Sequence, residues 1–192
     1  MQATVIIDRN EHKPWLFPKT IKWYKDRNSR GKLVVVKTER KVLKAGDYLL
    51  KGSEDLCIVE RKASLEELSN NLFGEDYKRA KDAFKRLSES TENPYLAIEC
   101  SLGDLNSKSK WVQEPARVMD ALMALMERLR FRFILLGRVN TLSQKRHAGE
   151  LVLRLMLSHV YQRERNYAGT EAIIQNLGGL KGASRRDVDH SK

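Results

Sequence analysis

The sequence lacks the motifs of several common enzyme classes. It contains no Walker A loop, no G-x-G-x-x-G, no G-x-S-x-G and no H-E-x-x-H. An ATPase, a dinucleotide-dependent enzyme, a serine hydrolase and a zinc protease therefore have no support. Cysteine is scarce, with Cys57 and Cys100 the two in the chain, and no C-x-x-C or Cys/His cluster occurs. A zinc site is not expected, and a reducing compartment is the default.

Long hydrophobic runs are also missing. No run approaches transmembrane length and the N-terminus shows no signal peptide, so we expect an intracellular, cytoplasmic protein. The charges are unbalanced, with 36 Lys and Arg against 25 Asp and Glu and a formal net charge of +11. This excess makes a polyanion the first partner to consider. Nucleic acid is favoured over a membrane surface because no strongly amphipathic basic helix stands alone.

The order of predicted elements indicates an α/β protein with a mixed sheet. We predict a core over residues 1–140, followed by a helix over 141–165 and a short, partly disordered tail over 166–192. The helix is apolar on two sides, which suggests contact with the core and with a partner. A helical turn is predicted around residues 21–27. Strands are predicted near Thr4, Leu33, Tyr48, Cys57, Tyr95 and Arg132.

The most informative stretch runs from Asp47 to an apolar strand that ends in Glu60, Arg61 and Lys62. Because side chains alternate along a strand, Glu60 and Lys62 point to one face and Arg61 to the other. A carboxylate beside an ammonium, with Asp47 arriving from the preceding strand, suits metal-assisted attack on a phosphodiester. Arg61 either reaches a phosphate through a strand end or bulge, or pairs with an acid behind the sheet.

Two further acids, Asp8 and Glu66, have two interpretations each. Asp8, with Glu11 close behind, ends the first strand, where it is either a site residue or the start of a turn. The S-x-x-E sequence at Ser64–Glu67 predicts a capping box that opens a helix. Glu66 in that first turn is either a metal-proximal acid or an ordinary acid that complements the helix dipole.

A basic face is predicted on the helix over residues 74–87. It is either a solvated surface or a grip on backbone phosphates. Aromatic residues near Trp15 and Trp23 lie among lysines, and we favour a core role over a stacking surface for them. The basic side chains of the predicted face are Lys78, Arg79, Lys81 and Lys85.

The central motif resembles that of the XPF-type structure-specific nucleases, a branch of the restriction-endonuclease-like superfamily. The family signature is a GD, a spacer, ERK and, after three intervening residues, an acid. It is matched here by Gly46-Asp47, Glu60-Arg61-Lys62 and, with Glu in place of the usual Asp, Glu66. A D-x-x-E pair is matched by residues 8–11. The strand YLAIE places Glu99 near the edge of the site.

The resemblance implies a three-layer fold with a central mixed sheet and Mg²⁺-dependent cleavage of branched DNA, with Mn²⁺ as a substitute. It implies cutting of flaps, forks or nicked junctions near the duplex–single-strand boundary, and a homodimer or heterodimer through helices after the core. Under this hypothesis, Asp47 and Glu60 hold a metal, assisted by the carbonyl of Arg61, and Lys62 positions the attacking water. Asp8, with Glu11, shapes a second metal position, and Glu66 and Glu99 are further candidates.

Two alternatives stay open at this level. The chain is either an active enzyme or a nuclease-like DNA-binding scaffold that has lost its chemistry. Inactive family members have usually lost the GD or ERK residues, and this chain keeps both, which favours the enzyme. The other alternative is a nuclease of the same fold with less preference for branched DNA. The tandem helix-hairpin-helix module of larger relatives is not recognisable.

Overall fold

The computed structural model describes residues 1–25, 28–110 and 112–183, with the backbone alone described for 167–183. A seven-stranded mixed sheet with the order β2-β3-β1-β4-β5-β6-β7 forms the middle layer. Helices pack on both of its faces, so the predicted three-layer α/β fold is confirmed. The strands are β1 (Gln2–Asp8), β2 (Thr20–Trp23), β3 (Lys32–Lys41), β4 (Tyr48–Leu50), β5 (Ile58–Lys62), β6 (Pro94–Ile98) and β7 (Arg132–Leu135).

Two hydrophobic cores lie on opposite faces of the sheet. Neighbouring residues of β1 illustrate the alternation, since Val5 belongs to one core and Ile6 to the other. Helix α5 covers the first core, and helices α1, α2 and α4 cover the second. The helices are α1 (Leu65–Phe73), α2 (Tyr77–Ser90), α3 (Leu102–Leu105), α4 (Pro115–Leu129) and α5 (Leu142–Ala183).

The strand directions bring the predicted site residues to one edge of the sheet. β4 is antiparallel to β1 and to β5, whereas β5 and β6 are parallel. The end of β1, the start of β4 and the ends of β5 and β6 therefore meet. Backbone hydrogen bonds join them, from Asp8 to Asp47 at 2.8 Å, from Asp47 to Val59 at 2.9 Å and from Glu99 to Lys62 at 2.9 Å.

The fold differs from the sequence prediction in two places. Residues 20–23 form an edge strand that pairs with β3, where a helical turn was predicted. Ile21 and Trp23 are buried and Lys22 faces solvent, which is the alternation of a strand. Helix α5 continues to Ala183, where a helix ending at 165 was predicted. No proline lies between residues 166 and 183 to interrupt it. The predicted disordered end, 184–192, lies outside the described residues.

Helix α5 packs closely against the loop after β1. A Cβ atom added to Gly149 would collide with the carbonyl oxygen of Leu16, so a larger residue would push the loop away. The Leu16 N–H also donates to the carbonyl of Lys145 at 3.2 Å. This contact fixes the loop that carries Trp15. Among the described helices, we find none with the length and hydrophobicity needed to cross a bilayer.

Candidate active site

Asp47, Glu60 and Arg61 of the central motif line a cleft of about 310 Å³ at the meeting point of β1, β4 and β5, and Lys62 lies behind the cleft wall. The cleft is polar and open to solvent on one side. Its lining includes residues that the sequence analysis singled out and four that it did not assign to the site, namely Asn10, His12, Lys13 and Glu67. The other lining residues are Glu11, Asp47, Glu60 and Arg61.

Asp47 lies at the tight turn into β4. Gly46 has a φ of 69°, and a Cβ atom there would collide with Ile58, so glycine is required before the acid. The Asp47 Oδ2 atom accepts the N–H of Arg61 at 2.7 Å. Burial and the nearby Glu60 carboxylate raise the pKa of Asp47 well above its usual value, and the Arg61 N–H offsets this in part. Negative charge is thus crowded at this point of the cleft.

Glu60 and Lys62 share one face of β5, as the strand alternation predicts. The Lys62 ammonium donates to Glu60 Oε1 at 2.8 Å and lies 3.6 Å from Glu67. Burial, in part against the Phe84 ring, lowers the pKa of Lys62, but the nearby carboxylates, led by Glu60, together outweigh it and raise that pKa. The lysine is therefore held in its charged form, ready to orient a ligand oxygen and to offset negative charge.

Arg61 points to the opposite face, where it pairs with two acids. Its Nε atom donates to Glu99 Oε1 at 2.6 Å, and one terminal nitrogen lies 3.1 Å from Glu11. The three side chains are at most 10 % exposed. Burial alone would lower the pKa of the guanidinium, and the two carboxylates raise it instead. Of the two alternatives for Arg61, the structure shows the pairing with acids, of which Glu99 lies away from the cleft and Glu11 lines its wall.

Trp15 completes this buried network. Its indole Nε1 donates to the same Glu99 oxygen at 2.7 Å, and its ring stacks on Tyr48 with centroids 4.7 Å apart. The Tyr48 hydroxyl accepts the backbone N–H of Trp15 at 3.1 Å. Trp15 and Trp23 are both buried, in agreement with the core role favoured for them. Glu99 is thus enclosed between the Trp15 and Arg61 donors. It holds Arg61 in place and does not line the acid cleft.

Both oxygens of the Asp8 carboxylate accept hydrogen bonds from backbone N–H groups. One oxygen accepts the N–H of Leu43 at 2.9 Å and the other accepts the N–H of Asn10 at 3.1 Å. The side chain is buried and does not line the cleft. The structure therefore favours the turn-forming interpretation of Asp8 over its prediction as a metal ligand. Glu11, at the end of the same turn, does reach the cleft.

The acid that reaches the cleft from α1 is Glu67, where the motif spacing had indicated Glu66. Glu66 lines a neighbouring polar cavity that it shares with Glu99 and Asp104. Ser64 caps the helix by accepting the Glu67 N–H at 3.1 Å, as the capping box predicts, and the Glu67 carboxylate accepts the Ala63 N–H at 2.8 Å. The capping pattern in the sequence places Glu67 in the first turn of the helix, next to the end of β5. This position is the sequence signal for Glu67 as a residue of the cleft.

The predicted basic face is present on α2 but divides into two parts. Lys81 and Lys85 line a groove between α1, α2 and α4, whereas Lys78 and Arg79 do not. Arg79 forms an exposed ion pair with Asp76 at 3.0 Å, and Lys85 lies 3.8 Å from Glu89. Exposed pairs of this kind are weak, so these side chains stay accessible to phosphates.

The donor set of the cleft is compatible with Mg²⁺. The described residues contain no cluster of three or more His, Cys, Asp or Glu side chains arranged to hold a metal ion. Magnesium, however, is commonly bound through one or two carboxylates and several waters. Asp47 and Glu60 provide two carboxylates. Burial, and then repulsion from Glu60, raise the pKa of Asp47, and a divalent cation would relieve that repulsion.

Fold and site together define a mixed-sheet α/β domain with neighbouring carboxylates and a lysine at the sheet edge. The sequence model of the ERCC4 domain family matches residues 7–143. The chain therefore belongs to the ERCC4 domain family, and the resemblance to XPF-type nucleases is confirmed.

Solved structures give the same fold. XPF from Aeropyrum pernix is 21% identical, with a TM-score of 0.54, and the match covers 98% of this chain and 67% of that chain. A structure of XPF from Aeropyrum pernix in complex with DNA has the same identity and TM-score and covers 84% and 66%. The chain thus spans about two thirds of the length of these proteins. No curated protein sequence matches it.

Proposed function

We propose that the protein is a metal-dependent DNA endonuclease that cuts branched DNA near the boundary between duplex and single strand. The observation that carries this proposal is the crowding of Asp47 and Glu60 beside the charged Lys62 in an open cleft. The membership of the ERCC4 domain family, the solved XPF–DNA complex and the excess of 11 positive charges support DNA as the substrate.

Asp47 and Glu60 would hold the metal ion, which when bound supplies an activated water and neutralises charge on the phosphate. The remaining steps belong to the protein. Lys62 keeps its proton on Nζ, which donates to the cleft-lining Glu60, and from there we assign it to orient the attacking water and to offset charge on the phosphate oxygens. Arg61 fixes the end of β5 through its N–H to Asp47 and its pairs with Glu99 and Glu11.

Cleavage of labelled DNA substrates tests this function. Flap, fork, nicked-junction and linear duplex DNAs are incubated with Mg²⁺, with Mn²⁺ and with EDTA. We expect metal-dependent cutting near the branch point and little cutting of the linear duplex. Equal cutting of all four substrates would support the less selective nuclease. Binding of all four without cutting under any metal condition would support the inactive scaffold and contradict the proposal.

The proposed dimer has one structural correlate. Leu151 on α5 is 45% exposed and lies next to the exposed end of β7 at Leu135. Most of the apolar residues of α5 are buried in the core, namely Val152, Leu153, Met156 and Leu157. The apolar strip left at the surface consists of Leu151 and Leu135, and it is narrower than the second apolar side that the sequence predicts. We propose this strip as the contact between two copies or between two related chains, and sedimentation of the Leu151→Glu variant tests it.

A further inference from the structure

A groove of about 640 Å³ lies between α1, α2 and α4, apart from the acid cleft. We call it the helical groove. Its floor is apolar, and two of its aromatic rings are open to solvent, with Phe73 39% and Tyr77 50% exposed. Such open rings are suited to an occupant that presents flat apolar surface. The apolar lining residues are Leu72, Phe73, Tyr77, Phe84, Ala121, Ala124, Leu125 and Leu129.

The rim of the helical groove is positively charged. Four cations line it against a single acid, Asp82. The Arg117 guanidinium lies 4.5 Å from the Phe73 ring centroid, and its pair with Glu114 is long and exposed. Among the described residues, two of the cations, Lys81 and Arg128, have no carboxylate within 4 Å. The occupant is therefore expected to carry negative charge. The four cations are Lys81, Lys85, Arg117 and Arg128.

Helix α1 connects the helical groove to the acid cleft. Glu67 at the start of this helix lines the cleft, and Phe73 at its end lines the groove. Six residues of helix separate them by about 9 Å at ~1.5 Å per residue. The Phe84 ring in the floor also lies 5.5 Å from the Lys62 ammonium. A stacked strand advances ~3.4 Å per nucleotide, so the two places are about three nucleotides apart.

We propose that the helical groove binds single-stranded DNA and holds the unpaired arm of the branched substrate beside the cutting site. The inference rests on the proposed function and names the part of the substrate that this surface takes. Bases stack on Tyr77 and on the Arg117–Phe73 pair, and phosphates contact the rim. A duplex keeps its bases inside and would leave the apolar floor uncovered, whereas a single strand can turn its bases toward it.

An acidic amphipathic helix of a protein partner also combines apolar and negative surface. Two observations favour DNA over such a helix. The two ends of α1 line the groove and the acid cleft, and a guanidinium already lies over an aromatic ring, as on surfaces that stack bases. The alternative occupant is an outcome of the test.

The test measures binding in EDTA, where no cleavage occurs. Fluorescence anisotropy follows a labelled oligothymidylate and a labelled duplex of equal length. We expect Tyr77→Ala to weaken single-strand binding about tenfold with little change for the duplex, and Tyr77→Phe to restore it. The double change Lys81→Glu and Arg128→Glu should act in the same direction. The control changes Lys78→Ala and Arg79→Ala, on the same helix but outside the groove, should weaken both DNAs equally.

Unchanged single-strand affinity in the groove variants would overturn the proposal, and so would an equal loss for single strand and duplex. The proposal also fails if these variants bind oligothymidylate normally but lose a designed acidic amphipathic peptide that the unaltered protein binds. Failure of the proposed function is distinguishable, because a protein without cleavage activity would still show the selective loss of single-strand binding in EDTA.

Discussion

The two faces of strand β5 differ in how their charges are satisfied. On the cleft face, Glu60 is paired with Lys62 but remains 17% exposed, and the adjacent Asp47 carries a raised pKa. On the opposite face, Arg61 is enclosed by Glu99 and by Glu11, and the Arg61–Glu11 pair also forms part of the cleft wall at the sheet edge. Among the described residues, every buried side-chain nitrogen and oxygen has a partner. The cleft face keeps an electrostatic demand for a cation, whereas both carboxylates of the opposite face are already hydrogen-bonded to a guanidinium.

This contrast shows how a crowded carboxylate site is kept in place. The Asp47 side chain is held by the backbone N–H of Arg61, whose own side chain is fixed behind the sheet. A buried ion pair adds little net stability, but removal of one partner leaves an uncompensated charge and costs much more. We therefore expect changes on the cleft face to alter activity, and changes on the opposite face to alter stability first.

The largest effect is expected from Glu60→Gln. The amide keeps the shape and can still accept from Lys62, but it removes a carboxylate from the proposed metal site. The cleavage rate with Mg²⁺ should fall at least about 10³-fold, while the melting temperature stays within a few degrees. Single-turnover cleavage and thermal denaturation measure the two quantities. Residual activity within tenfold of the unaltered protein would contradict the functional difference between the two faces.

Arg61→Met should have the largest effect on stability. It leaves Glu99 and Glu11 buried without their cation, and the free energy of unfolding should fall by about 3–5 kcal/mol. Chemical denaturation measures this change. The double variant with Glu99→Gln should recover part of the loss, since the amide is neutral and still accepts from Trp15. A loss below about 1 kcal/mol would show that the network is not enclosed as described.

Trp15→Phe tests the outer member of the same network. It removes the indole donor to Glu99, and a lost hydrogen bond to a charged group costs about 1.5–3 kcal/mol. The control is Trp23→Phe, a change of equal size at a buried tryptophan that contacts Tyr161 and lies away from Glu99. We expect the Trp15 variant to lose more stability than the control in the same denaturation experiment. Equal losses would assign the effect to packing alone.

The smallest effect is expected at His159, which lies away from both faces and serves as a reference. Its Nε2 atom is 3.0 Å from the Tyr95 hydroxyl, and burial, with nearby Arg132, lowers its pKa below the usual 6.5. The folded protein then binds fewer protons than the unfolded chain, so this contribution to stability is lost as pH falls below 6.5. His159→Gln should flatten the pH dependence of unfolding between about pH 5 and 6.5. An unchanged slope would contradict this.

Local patterns in the sequence predict much of the site. The alternation along Glu60, Arg61 and Lys62 gives the correct face for each side chain, and Gly46 before Asp47 signals a turn with positive φ. These features depend on neighbouring residues. The pairing of Trp15 with Glu99 joins residues 84 positions apart, and no local pattern reports it. The same holds for Asp8, whose second acceptor bond comes from Leu43 across the sheet.

The remaining differences come from tertiary pairing. The edge strand β2 is short and becomes a strand through its hydrogen bonds to β3, so propensity around Ile21 did not identify it. Glu66 and Glu67 are adjacent in sequence, and the direction in which α1 leaves the sheet decides which of them faces the cleft. The spacing of a motif does not contain that direction.

The most direct test of the metal site is the thermal stability of the protein with increasing Mg²⁺, for the unaltered chain, for Asp47→Asn and for Arg61→Lys. An ion that binds the folded state raises the melting temperature by mass action. We predict a rise with Mg²⁺ for the unaltered chain and for Arg61→Lys, and none for Asp47→Asn, whose melting temperature without metal is equal or higher because a repelled charge is gone. No rise in the unaltered chain, or an equal rise in Asp47→Asn, would contradict the assignment of Asp47 and Glu60 as the metal site.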